Sequence, residues 1–123
     1  MRVLLVDDEK ELVSALAERL AMRGIETDWA STAEDALERV RTKSYDLAVL
    51  DVKMPKMSGI ELKKRIEEDH PTMHFIFMTG HGSESDFEKG TAEAGAAYYL
   101  VKPVKIETLM EKMNDIMGEE RKG

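Results

Sequence analysis

The chain has 123 residues, with 25 acidic against 18 basic side chains, a net charge of −7 and no cysteine. That length suits one domain with a single hydrophobic core, the missing cysteines exclude disulfides and thiolate metal sites, and the acidic balance opposes non-specific nucleic-acid binding through this domain. The first apolar run stops at Asp7, far short of a signal peptide or a membrane span, so a soluble, cytoplasmic protein is expected.

Val3-Leu4-Leu5-Val6 is a continuous apolar run and predicts a buried strand. Residues 10–23 follow as a helix, with Leu12, Val13, Leu16 and Leu20 at helical spacing and Gly24 as the stop. Residues 26–30 give a weaker strand signal, as an edge strand does. Ser31 with Glu34 has the spacing of a capping box, and Ala36, Leu37 and Val40 carry the helix onward. Residues 47–50 predict the next buried strand. Ser58 with Glu61 repeats the capping pattern and opens a helix to about Glu68. Residues 74–78 predict a further strand. Residues 83–94 predict a weak helix, because Gly90 in its interior costs roughly 1 kcal/mol against alanine. Residues 98–101 predict the last strand and 105–117 the last helix, which carries Ile106, Leu109, Met110, Met113, Ile116 and Met117 on its apolar side. Its methionine stripe reads as core filling. Residues 1–118 form the expected domain, and 119–123 a polar tail or the start of a truncated linker.

Strands alternating with helices call for a parallel sheet covered on both faces. Right-handed crossovers, five strands and a weak second strand select the doubly wound, flavodoxin-like α/β fold of order 2-1-3-4-5 with five flanking helices. In such a sheet, sites form beyond the carboxyl ends of the strands where the order reverses. Asp7 and Asp8 follow the first strand, Asp51 the third, Thr79 the fourth and Lys102 the fifth. Residues from four separate places thus converge on one sheet edge. Three carboxylates placed together repel, and one would tend to keep its proton. A hard divalent cation, Mg²⁺ above all, relieves that repulsion with all-oxygen ligands. Lys102 adds a fixed positive charge and Thr79 a hydroxyl donor. The set suits a carboxylate that receives a phosphoryl group.

These residues carry a family resemblance over essentially the whole chain. The segments Leu4-Leu5-Val6-Asp7-Asp8-Glu9, Leu50-Asp51-Val52-Lys53-Met54-Pro55 with Ser58-Gly59, Met78-Thr79-Gly80-His81-Gly82 and Tyr99-Leu100-Val101-Lys102-Pro103 resemble the receiver domains of two-component response regulators. The resemblance implies that Asp51 accepts a phosphoryl group from a phosphohistidine on a sensor histidine kinase or phosphotransfer protein. It implies a Mg²⁺ site made of Asp7, Asp8, Asp51 and the backbone carbonyl of Lys53. It implies that Thr79 and Lys102 touch the phosphoryl oxygens, that the bond before Pro103 is cis, and that Thr79 and Tyr99 are switch residues. The signalling surface it implies is built from the fourth helix, last strand and last helix, and it leaves room for a phosphorylation-dependent homodimer. It implies no enzyme beyond self-phosphorylation and dephosphorylation. Lys53 and His81, each two residues past a site residue, are positions that influence phosphoryl lifetime in the family.

Each residue also has a plainer reading. Asp7 and Asp8 alone would be solvated helix-start charges, and Asp51 alone a strand terminator; their combination with Lys102 outweighs that. Tyr99 alone would be packing, and Tyr98 points to the opposite face. His70 and His74 read as surface or strand-end residues, and the three histidines have no metal-ligand spacing. A Mg²⁺-dependent phosphohydrolase of the haloacid dehalogenase type is the enzyme alternative, but Lys53 stands where its second aspartate belongs. A nucleotide or flavin binder lacks a phosphate-cradling glycine motif, and a phosphate-independent scaffold would not need the full set of acids, Thr79 and Lys102.

Overall fold

Strands β1 (Arg2–Val6) and β3 (Leu47–Asp51) lie at the centre of the sheet because nearly every side chain on them is apolar and both faces must be covered. The computed structural model describes residues 1–80 and 99–122. With β2 (Glu26–Ala30), β4 (His74–Thr79) and β5 (Tyr99–Val101) they form one parallel sheet in the order β2-β1-β3-β4-β5, the order predicted. Alternation along each strand divides the core in two. Leu4, Val6, Ala48, Leu50, Phe75 and Phe77 face helices α2 (Ala33–Thr42) and α3 (Gly59–Asp69). Val3, Leu5, Leu47, Val49, Ile76, Met78 and Leu100 face helix α1 (Lys10–Met22) and the last helix (Ile106–Lys122). Each fully buried leucine, isoleucine or phenylalanine contributes about 1.5–3 kcal/mol, and this packing fixes where the strand ends point.

The local boundaries follow from backbone chemistry. Gly24 ends the first helix at φ +82, a conformation glycine adopts without Cβ strain. Ser58 caps α3, its hydroxyl accepting the Glu61 N–H at 3.1 Å. The cap of α2 is Thr32 rather than Ser31: Thr32 has the extended backbone a cap needs, and its Oγ1 accepts the Asp35 N–H at 3.0 Å. Glu34 lies inside the first turn instead, where a negative charge suits the helix dipole.

The last helix continues past residue 117 to Lys122. Gly118 has no positive φ, and a glycine costs a helix only about 1 kcal/mol when buried Met113 and Ile116 anchor the preceding turns. Met113 is fully buried and Met110 and Met117 pack against the same core, so the methionine stripe fills the interior. The predicted fourth helix at 83–94, with Gly90, and the residues His81 and Tyr98 lie outside the described residues. Among the described residues no helix is long and apolar enough to cross a membrane.

Candidate functional site

Each site residue is fixed by the strand before it. Asp7 follows β1, and its N–H donates to Ala30 O at 3.2 Å, which continues the sheet pairing one step beyond the strand. Asp51 is the last residue of β3 and Thr79 the last of β4. The three are buried, at 0 %, 4 % and 1 % exposure. Lys102 follows β5, its N–H donating to Thr79 O at 2.7 Å, and the Lys102–Pro103 peptide is cis.

The side chains meet across the sheet edge. Lys102 Nζ lies 2.7 Å from Asp7 Oδ2 and 3.3 Å from Asp51 Oδ2. The other Asp7 oxygen accepts the Glu9 N–H at 2.9 Å. The Asp7–Lys102 contact is an ion pair without good hydrogen-bond direction. Burial, and then the charge of Asp7, push the Asp51 carboxyl up to about 7, against the opposing pull of Lys102. Burial alone would lower the Lys102 ammonium, but its contact with Asp7 and the charges of Asp51 and Asp7 hold it above the ordinary lysine value.

Three carboxylates against one ammonium leave the edge negatively charged. Asp7, Asp8 and Asp51 each bring an oxygen within 4.8 Å of the other two. Asp8 is the exposed member, beside a cavity of about 200 Å³ that runs between Ser31–Glu34 and Met54–Met57. Hard oxygen donors, two of them buried, with unbalanced charge fit a divalent cation such as Mg²⁺. Thr79 Oγ1 is buried with no hydrogen-bond partner among the described residues, so the site holds an unused donor beside the acid cluster.

The loop behind Asp51 is tightly built. The Gly59 N–H donates to Val52 O at 2.9 Å, and a Cβ on Gly59 would collide with the Asp51 carbonyl. The Met57 N–H donates to Pro55 O at 2.8 Å around Lys56, whose φ is +70. That three-residue turn is rare and strained for a residue with a side chain.

Of the residues singled out in the sequence, Asp7, Asp8, Asp51 and Lys102 are brought together, and Thr79 ends the neighbouring strand. Lys53 is exposed on the loop two residues past Asp51. Tyr99 is 49 % exposed on β5, so it is not a core residue. His70 caps the end of α3 and His74 begins β4, both at the surface margin. Two participants were not singled out: Glu9, whose Oε1 is 3.2 Å from Lys102 Nζ, and Gly59 as the support of Asp51. Glu9 directly follows the Asp-Asp pair, which is the one signal that could have marked it.

A parallel sheet of this order, with acids and a lysine gathered at its switch point, defines a class of signalling domain. Residues 3–114 match the family described as response regulator receiver domain, and the chain belongs to that family. It is 40 % identical over 116 residues to the transcriptional regulatory protein CpxR of Escherichia coli K12, which covers 94 % of this chain and 49 % of CpxR. It is 35 % identical over 113 residues to the transcriptional regulatory protein DltR of Streptococcus agalactiae (92 % and 50 %). The chain thus spans about half the length of these relatives. The crystal structure of a CheY-like response regulator receiver domain protein from Methanospirillum hungatei superposes with a TM-score of 0.89 at 32 % identity, covering 99 % of this chain and 98 % of that one. The chain is therefore a receiver domain of the two-component response regulator family, a class of signalling domain.

Proposed function

We propose that Asp51 is the phosphoryl acceptor, that its donor is a phosphohistidine on a sensor histidine kinase or phosphotransfer protein, and that the reaction depends on Mg²⁺. The observation that carries this reading is Lys102 bridging Asp7 and Asp51, at 2.7 and 3.3 Å. An ammonium held there can follow the acceptor carboxylate and the charge that develops on the transferring oxygens.

In the transfer, a carboxylate oxygen of Asp51 forms a bond to phosphorus while the phosphorus–nitrogen bond of the donor breaks. The electron pair of the broken bond stays on the donor imidazole. Asp51 must be ionised to attack, and its elevated pKa would leave it partly protonated near neutral pH. A cation held by Asp7, Asp8, Asp51 and the Lys53 carbonyl would supply positive charge that keeps the acids ionised and offsets the phosphoryl oxygens. Thr79 would donate its unused hydroxyl to one phosphoryl oxygen and Lys102 its ammonium to another. Water attack on the acyl phosphate returns Asp51 to a carboxylate, so the only chemistry is the domain's own gain and loss of phosphate.

The outward route in this reading runs from Thr79 through the adjoining strand. Thr79 pairs in register with Val101, and Lys102 N–H donates to the Thr79 carbonyl at 2.7 Å. In this reading, movement of the Thr79 hydroxyl toward a phosphoryl group would be passed to β5, where Tyr99 and Val101 are exposed. The phosphohydrolase alternative is not favoured by the family match, and Lys53 lacks the acid it needs.

Incubation with phosphoramidate and Mg²⁺ tests the reading. Intact mass should rise by one phosphoryl group in the wild-type protein and stay unchanged in Asp51→Asn. An unmodified wild type overturns it.

A further inference from the structure

An ammonium has three N–H donors, and Lys102 faces three carboxylates: Asp7 at 2.7 Å, Glu9 at 3.2 Å and Asp51 at 3.3 Å. Asp7 and Asp51 are buried, whereas the Glu9 side chain is 61 % exposed. The backbone of Glu9 is pinned: its N–H donates to Asp7 Oδ1 at 2.9 Å and its carbonyl accepts the Val13 N–H at 3.0 Å. Glu9 occupies the N-cap of α1, where an acidic side chain would ordinarily serve the free N–H groups, yet it makes no cap hydrogen bond. Its carboxylate is engaged with Lys102 instead.

We infer that Glu9 is a positioning residue that holds Lys102 back from the acceptor, so that the Glu9–Lys102 pair must open before Lys102 can serve a phosphoryl group. This rests on the acceptor role of Asp51 given above. An arriving phosphoryl oxygen competes with these carboxylates for the ammonium, and the Glu9 contact is a directed hydrogen bond at 3.2 Å. Asp7 and Asp51 are fixed by burial and by the sheet, so the solvent-facing Glu9 is the contact that can yield. Such an exposed pair adds little to stability, but it competes directly with the incoming anion. The Glu9 side chain touches neither the donor nor the acceptor and acts through Lys102, while the backbone N–H that meets Asp7 is kept in a side-chain variant.

The test compares wild type, Glu9→Gln and Glu11→Gln, supplied with phosphoramidate and Mg²⁺ below saturation. Glu11 lies in the first turn of α1, is exposed and pairs with no cation among the described residues. Initial phosphorylation is followed by intact mass, and the Lys102 Nζ resonance is recorded by NMR in the unphosphorylated proteins. Glu9→Gln should gain phosphate about two- to fivefold faster, the change that losing one exposed ion pair supports, and should shift the Lys102 resonance. Glu11→Gln should do neither. A Glu9→Gln rate equal to or below wild type, an equal gain in both variants, or an unmoved Lys102 resonance overturns the inference. A wild type that takes up no phosphate overturns the acceptor reading, and this inference falls with it.

Discussion

Lys102 sits closer to Asp7 than to Asp51, at 2.7 against 3.3 Å. The pair joins a residue that follows a central strand to one that follows an edge strand, and β3 and β4 lie between them. Asp51 has the longer contact with the ammonium, and burial, then the charge of Asp7, raise its pKa.

That inequality has a pH signature. The Asp51 carboxyl titrates at about 7 in the folded protein and near 3.9 when unfolded. Its protonated form is the one the fold favours, so its contribution is complete below about pH 4 and is lost as pH rises through about 7. With chelator present, wild-type stability should fall across that window. Asp51→Asn should flatten the fall and be more stable near pH 8 by roughly 1–3 kcal/mol, since it removes a poorly compensated buried charge. Urea denaturation at several pH values measures this; parallel profiles for the two proteins would contradict it.

If the acid cluster holds Mg²⁺ as proposed, the ion should raise the melting temperature, because the unfolded chain offers no assembled site. At a hundredfold excess over Kd the gain is about 2.7 kcal/mol. Asp8→Ala, at the exposed member of the cluster, should abolish the gain while leaving the metal-free melting temperature nearly unchanged. A gain that survives in Asp8→Ala would remove Asp8 from the ligand set.

Gly59→Ala should destabilise the protein by roughly 1–3 kcal/mol, since the new methyl meets the backbone of Asp51 and Val52, which cannot rotate away. The same displacement should weaken Mg²⁺ binding, although Gly59 contributes no ligand side chain. Paired denaturation and Mg²⁺ titration read both effects, and a normal Mg²⁺ affinity would show that the Asp51 backbone tolerates the shift.

Thr79→Val should leave the fold as stable as wild type or more stable, by up to about 2 kcal/mol, because it deletes a buried hydroxyl that has no partner. Phosphate uptake should slow, and Thr79→Ser should restore it. Loss of stability in the valine variant would mean that the hydroxyl is already satisfied.

Tyr45→Phe probes the other end of the sheet. The Tyr45 hydroxyl donates to Asp28 Oδ2 at 2.6 Å, and deleting it should cost about 1–2 kcal/mol. Phosphate uptake should not change, which separates a general loss of stability from damage to the site.

Much of this was legible in the sequence, for physical reasons. Apolar runs without period, each followed at once by a charged or hydroxyl residue, place both the parallel strands and the chemistry at their ends, as Leu50-Asp51 and Met78-Thr79 show. The illegible parts depend on geometry. Ser31 and Thr32 each have an acid three residues on, and only the backbone angles choose Thr32 as the cap. Glu9 and Lys102 are 93 residues apart, so no local pattern links them. Gly59 stands in the sequence as a glycine after a cap, a residue type that permits a close backbone approach, but nothing local says that the approaching group is the Asp51 carbonyl. Lys56 likewise gave no warning of its left-handed turn.

The edge strand β2 has a bearing on crowding. Its Glu26 is paired with Arg2 at 2.7 Å, and its Asp28 is held by Lys43 at 3.1 Å as well as by Tyr45. A second molecule seeking to add a strand there would have to displace these charges or bury them. That border is therefore guarded against open-ended stacking, whereas the opposite border, β5, carries the exposed Tyr99 and Val101 and no charged side chain of its own.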